Sequence, residues 1–413
     1  MSKRNFYKTL AVATALLVAF SSLSAKSNKK KKDIDLPIRE IMAKYYADGQ
    51  FYFGASSMQK YWKNPDKLAT QFYKEFSYNT PENSFKISTV FNGDGTGTDR
   101  YKSEEYQYFI EQARKHKQII RAHGPVSPQT NNWSKEDNRT PEELDGLLTR
   151  FMTLLSIDLE KNKDVVKWMD VVNESFTGSN QTGIGYNKQE TEDVVPYRTY
   201  DWFGPRKGVK KWENPWPAMG FDTVQINGQT LDIPKHIVKS FRIATDLAPS
   251  VKLIWNDHGK VINPKLYDKL KLSVQYLRSQ GMRVDGIGWQ AHVDMGWEKD
   301  PENIKNLENL IDWCYQNKLE FHITELDVTI SQTPDAEKLV KTRDEQAATF
   351  AAMTETILKK VGKGAAGLNV WTMYDHNSAT GTQFSGLFDK DGIPTPAYFK
   401  VKELLIKYGK LRK

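Results

Sequence analysis

The sequence predicts an α/β fold, a (β/α)8 TIM barrel in one domain, and three observations carry that prediction. Short apolar runs rich in β-branched and aromatic residues recur eight times along the 413 residues. Amphipathic helical patterns separate them. No G-x-G-x-x-G or G-x-x-x-x-G-K-[ST] follows any run, so an open doubly wound sheet with a nucleotide site is disfavoured.

FYFGAS (51–56) opens the series and FSYNT (76–80) is the second run. QIIRAH (118–123) follows SEEYQYFIEQARKHK, whose apolar residues return every three or four positions as on one helix face. VVKWMDVVNE (165–174), the longest apolar strand pattern so far, follows the amphipathic PEELDGLLTRFMTLLSIDLEKN. KLIWND (252–257) and GIGWQAH (286–292) flank PKLYDKLKLSVQYLRSQG, a helix ended by Gly281. FHITELDV (321–328) and AAGLNVWTMYD (365–375) close the series around EQAATFAAMTETILKKVG. One connection is out of scale. Residues 175–233, after the fourth strand, lack strong periodicity and are rich in aromatics and turn formers, as in YRTYDWFGPRKGVKKWENPWPAMG. A loop of that length in a compact domain is usually functional, and here it would sit on the C-terminal face of the barrel.

Residues 1–25 have the parts of a secretory signal peptide: Lys3, Arg4 and Lys8, then TLAVATALLVAF, then SSLSA with small residues for cleavage near Ser24 or Ala25. The apolar run is too short for a membrane span. A Lys-rich linker (26–45) and the barrel domain (46–411) follow, so a soluble protein, secreted or periplasmic, is expected. The single Cys314 excludes a disulfide framework and leaves no signal-peptide cysteine for lipid attachment. The net charge of +8 is misleading. Eight of the 59 basic residues lie in residues 1–32, which hold no acids, and the remaining basic residues equal the 51 acids. The folded body is balanced, so nucleic acid is not an expected partner.

The fourth run ends in Asn173-Glu174 and the seventh carries Glu325 and Asp327 on one face, with His322 on the other. That parity argues against His322 and Glu325 sharing a metal. HExxH and paired cysteines are absent from the sequence, so no metal and no cofactor are assigned. In an eight-stranded barrel, the ends of strands four and seven face each other across the mouth. Glu174 and Glu325 would be two carboxyl groups on one cleft, one protonated and one ionised, as glycoside hydrolysis needs.

At these residues the chain resembles glycoside hydrolase family 10, the secreted endo-β-1,4-xylanases, over nearly all its length after residue 50. WMDVVNE resembles the family's acid/base segment and ITELDV its nucleophile segment. NTPENSFK, NDHG, GIGWQAH, WTMYDHNS, GLFD and PAY resemble further blocks in order and spacing. The resemblance implies Glu174 as general acid/base and Glu325 as nucleophile of a retaining double displacement. It implies that Asn173 holds the sugar 2-hydroxyl and that His292 orients Glu325, with Gln290 nearby. Glu82, Asn83 and Lys86 would line the glycone side. His123, Asn256 and Trp371 would shape the sugar floor, Trp371 as a stacking platform. The expected partner is a polysaccharide or oligosaccharide, with no membrane insertion and a monomeric protein.

The sequence departs from the family pattern where sugar is recognised. Ser127 and Pro128 stand where the family has Trp and His, Ala379 where it has a second Trp, and His258-Gly259 where it has Tyr-Asn; Trp133 is a candidate to refill part of the gap. Xylan is the leading substrate, and another β-linked glycan (glucan, galactan or algal polysaccharide) is the alternative. A non-catalytic glycan-binding protein and a transglycosylase are the further alternatives.

Overall fold

A computed structural model describes residues 32–91, 101–128, 139–176, 202, 215–259, 261–330, 336–371, 373–378 and 381–412. The signal peptide, the first part of the Lys-rich linker, most of the 175–233 loop, Trp133 and Ala379 lie outside the described residues. The chain divides into two units, Met1–Leu36 and Pro37–Lys413. Of the first, the described part is a 3-10 turn at Asp33–Asp35.

The second unit holds eight parallel strands: β1 Tyr52–Ser57, β2 Tyr78–Pro81, β3 Ile119–Ala122, β4 Val166–Asn173, β5 Lys252–Asp257, β6 Gly286–Trp289, β7 Glu320–Thr329 and β8 Ala365–Val370. Each pairs with its neighbours in sequence, and β8 closes on β1 through Tyr52 opposite Gly367 and Phe53 opposite Leu368, so the sheet is a closed (β/α)8 TIM barrel. All eight expected runs are strands. Outer helices follow them: α1 Lys67–Glu75, α2 Glu104–His116, α3 Pro141–Lys161, α4 Lys235–Leu247, α5 Pro264–Ser279, α6 Pro301–Gln316, α7 Ala336–Lys359 and α8 Pro396–Leu411. Their starts are written in the sequence. Thr140 and Glu143 form a reciprocal capping box around Pro141, and Asp66, Asn263 and Asp300 each accept a backbone N–H at the first turn of α1, α5 and α6. No helix among the described residues is long and apolar enough to cross a membrane.

Side chains fill the barrel. Trp168 is fully buried against Tyr78, Ile254 and the ring of His322, and its indole N–H donates to Glu320 at 2.9 Å. Core aromatics and aliphatics from the strands therefore fix the barrel end away from the site.

Two expectations need correction. The Lys-rich linker expected at 26–45 ends sooner, because Ile38–Tyr45 is a helix that buries Ile38, Ile41, Met42 and Tyr45. Those positions have the i, i+3, i+4, i+7 spacing of one helix face, so the packed body starts at Pro37. The loop 175–233 is not uniformly irregular either. Phe221–Ile226 and Gln229–Pro234 pair antiparallel around Asn227-Gly228, both at positive φ, 51° and 73°. That is the backbone a two-residue hairpin turn demands and Asn-Gly tolerates.

Candidate active site

The strand ends at the C-terminal face bring most of the expected residues into one buried network. Asn173 and Glu174 end β4, Asn256 lies near the end of β5, Gln290 and His292 follow β6, and Glu325 sits in β7. β7 carries a register shift against β8 between Ile323 and Leu326, around Glu325. Glu174 has φ 55°, a left-handed conformation that costs a non-glycine residue strain and is held by its surroundings. Its backbone N–H donates to the Asn256 carbonyl at 3.2 Å.

Two amides link the glutamates. The Gln290 side chain donates to Glu174 Oε1 at 2.9 Å and to Asn173 Oδ1 at 3.2 Å. The Asn256 side chain donates to Asn173 Oδ1 and to Glu325 Oε1, both at 2.8 Å. Thr324 donates to Asn256 Oδ1 at 2.7 Å, which fixes the orientation of that amide. Gly288 of β6 makes room for it, since a Cβ there would lie 2.4 Å from Asn256 Oδ1.

Glu325 sits among His292, His123 and Arg121. His292 Nε2 is 3.4 Å from its Oε2, and His123 Nδ1 is 3.6 Å from its Oε1. Burial is the largest single influence on this carboxyl and pushes its pKa up. Nearby His123, the hydrogen bond and charge of His292, and Arg121 together outweigh burial and hold it at about 2. Each histidine is backed by an acid: His292 Nδ1 lies 3.0 Å from Asp327 Oδ2, and His123 Nδ1 lies 2.9 Å from Asp170 Oδ2. Burial works against a charged His292, but Asp327 and Glu325 raise its pKa well above the usual imidazole value. Arg121, fully buried, lies 3.5 Å from Asp170 and donates to the Thr324 carbonyl at 3.0 Å. Site carboxylate, imidazolium and guanidinium are thus held in fixed orientation before any sugar binds.

The remaining expected residues surround this network. Trp371 is half-buried, with its ring edge-on to His123 at 5.0 Å and to His292 at 6.3 Å between centroids. Lys86 is buried; burial lowers its pKa, while Glu174, Glu325 and Glu82 act in the opposite direction. Glu82 accepts from Ser56 at 3.4 Å, and burial pushes its carboxyl up to about 7 against the pull of Lys86. Asn83 contributes its carbonyl, which accepts the Lys86 N–H at 3.1 Å.

Sequence reasoning missed several residues. Asp170 lies four residues before Glu174, and the period-two pattern of a strand would have placed both on one face. Asp257 accepts the Ser175 N–H at 3.1 Å directly behind Glu174. Trp216 and His236 line a narrow pocket with Ser127, Pro128, Asn173 and Glu174, and Ser127 accepts from the Asn173 amide at 3.3 Å. From the long loop, Trp202 stacks on Phe176 at 4.5 Å. Trp202 and Trp216 come from a region whose sequence has no periodicity to place them.

Comparison with known proteins agrees with this geometry. The model for "Glycosyl hydrolase family 10" matches residues 41–196 and 225–404. Endo-1,4-beta-xylanase A of Caldicellulosiruptor saccharolyticus is 27% identical over 345 residues, 79% of this chain and 86% of that one. Endo-1,4-beta-xylanase B of Thermotoga neapolitana is 25% identical over 383 residues, 90% and 92% of the two chains. The crystal structure of native xylanase 10B from Thermotoga maritima superposes with a TM-score of 0.67 at 25% identity, covering 91% of this chain and all of that one. With the family model matching most of its length and the barrel closed, the chain belongs to glycosyl hydrolase family 10.

Proposed function

We propose that this glycoside hydrolase is an endo-β-1,4-xylanase that retains anomeric configuration. Glu325 attacks the anomeric carbon while Glu174 gives its proton to the departing glycosidic oxygen, leaving a glycosyl ester on Glu325. Water, deprotonated by Glu174, then displaces Glu325 and restores both side chains. Asn173 holds the 2-hydroxyl of the ring whose bond breaks, and Trp371 stacks on a sugar face. One observation supports this most: two buried glutamates at the C-terminal ends of different strands share the Gln290–Asn173–Asn256 relay, and one of them is kept ionised by two acid-backed histidines. The xylanase relatives support xylan as substrate.

The test is release of new reducing ends from a panel of xylans, β-glucans, β-mannans, galactans and algal polysaccharides, beside a Glu325→Ala control. Release from xylan that the control lacks is the expected result. No release from any polymer, with glycan binding retained, would leave a binding protein instead of a hydrolase.

A second substrate reading, another β-linked glycan cleaved by the same chemistry, is favoured by the departures at Ser127 and Pro128. Both line a narrow pocket beside Asn173 and Glu174, and the resemblance puts Trp and His at their positions in the family. Release only from a different polymer of the panel would select it. We also infer export, supported by the signal-like residues 1–25. Mature protein recovered outside the cytoplasm should begin after Ser24 or Ala25, and an uncut N-terminus would refute this.

A further inference from the structure

Glu174 differs from every other residue of the relay in one respect: it alone stands at a strand end with a left-handed backbone, φ 55°. In a proton donor such strain has to be held, because the carboxyl must meet the glycosidic oxygen within hydrogen-bonding reach. The holding contacts come from Asn256 and Asp257, adjacent at the end of β5. The Asn256 carbonyl accepts the Glu174 N–H at 3.2 Å. Asp257, fully buried, accepts the N–H of the next residue, Ser175, on Oδ2 at 3.1 Å. Its carbonyl accepts the Gln290 N–H at 3.0 Å, and the Gln290 side chain grips Glu174 Oε1 at 2.9 Å. Asp257 therefore brackets Glu174 from both directions, the backbone behind it through Oδ2 and the carboxyl in front of it through Gln290.

We propose that Asp257 is a positioning residue for the acid/base: its side chain fixes the left-handed turn that aims Glu174, and its backbone fixes the amide that orients the Glu174 carboxyl. This rests on the reading of Glu174 as proton donor. The Asp257 carboxylate is itself locked, with Oδ2 also accepting from the Trp255 indole at 3.3 Å and Oδ1 from the His258 N–H at 3.0 Å. Three donors converge on two oxygens, so a carboxylate suits the place and a carboxamide does not. Asp257→Asn substitutes an NH2 for one acceptor and sets it against an N–H. With the NH2 on the Oδ2 side the Ser175 and Trp255 bonds are lost and the turn at Glu174 is released; with it on the Oδ1 side the His258 bond is lost, so a variant that cannot satisfy all three donors is tested beside it.

A displaced proton donor has a kinetic signature that general damage lacks. A leaving group as acidic as 2,4-dinitrophenol departs without proton assistance, whereas phenol or a sugar hydroxyl does not. Asp257→Asn should therefore lower kcat/KM on phenyl β-xylobioside and on xylan by about tenfold to a hundredfold, since misplacement near 1 Å costs that much. On 2,4-dinitrophenyl β-xylobioside it should change kcat/KM by less than about threefold, a split that a shared structural fault would not produce. Asp257→Ser, smaller and able to accept a single hydrogen bond, is the second variant, and circular dichroism with thermal melting establishes that the protein assayed is folded.

Glu174→Ala is the reference. If it shows the leaving-group split and folded Asp257 variants show it too, the proposal stands. If Glu174→Ala shows it while the Asp257 variants lose both substrates equally, or lose neither, Asp257 does not position the acid. If Glu174→Ala itself shows no split, the acid/base reading of Glu174 fails, and the proposal falls with it.

Discussion

His292→Gln removes the charge beside Glu325 while keeping a side chain that donates a hydrogen bond. The two groups lie 3.4 Å apart, so at an effective dielectric of about 20 their attraction is about 5 kcal/mol. That is an upper bound. The His292 side chain is 24% exposed and its charge is partly spent on Asp327, so roughly 1.5–3 kcal/mol remains, or one to two pKa units at about 1.4 kcal/mol each. With its carboxyl at about 2, wild-type Glu325 is ionised throughout the mildly acidic range. In the variant the acid limb of kcat/KM, which reports the free enzyme, should rise by one to two units. The assay is initial rate on an aryl β-xylobioside from pH 3 to 7, with melting temperature recorded at each pH. An unmoved acid limb in folded His292→Gln would refute the idea that His292 holds Glu325 ionised.

The same pair sets a stability window. Glu325 has a lowered pKa, so its contribution is present above the ordinary carboxylate value of 4.5 and fades as pH falls toward about 2. His292 has a raised pKa, so its contribution is full below 6.5 and fades as pH rises through its folded value. The wild-type melting temperature should exceed that of His292→Gln most between about pH 4.5 and 6.5; a gap that grows at high pH would contradict the pairing. Gly288→Ala pushes a methyl against Asn256 Oδ1 and should lower kcat by on the order of tenfold to a hundredfold through the displaced relay, with xylan affinity measured alongside. Asn173→Ala should cost about a hundredfold in kcat/KM, and a substrate lacking the 2-hydroxyl should show no further loss; full additivity would dissociate Asn173 from that hydroxyl. Glu82 has a raised carboxyl, so folding is less favourable as pH climbs from 4.5 through about 7. Glu82→Gln should flatten the fall in melting temperature over that range, and an unchanged slope would locate the effect elsewhere.

Much of the fold was legible because barrel strands announce themselves twice, by apolar runs and by the helices between them. β4 and β7 are examples: both are buried almost throughout, so their sequences read as continuous apolar runs broken by the few polar residues that matter. Asn173, Glu174 and Glu325 stood out for that reason. The helix Ile38–Tyr45 was missed although its spacing was regular, because the preceding lysine tract dominated the composition around it. The hairpin at Asn227-Gly228 does not stand out because alternation in FDTVQI and QTLDIP is partial and the first strand buries no residue fully. Contacts such as Asp257 with Ser175 join strand ends 82 residues apart. They depend on which neighbours the barrel brings together and on a left-handed φ at Glu174, neither of which is encoded in local pattern.

The most direct test is to trap the covalent intermediate. A 2,4-dinitrophenyl 2-deoxy-2-fluoro-β-xylobioside loses its leaving group readily, while the fluorine slows release of the sugar from the enzyme. Incubation should inactivate the protein with one fluoroxylobiosyl unit added, and peptide mass spectrometry should find it on the segment containing Glu325. Turnover with no adduct and an inverted product, or an adduct on Glu174, would contradict the assignment of Glu325 as the nucleophile of a double displacement.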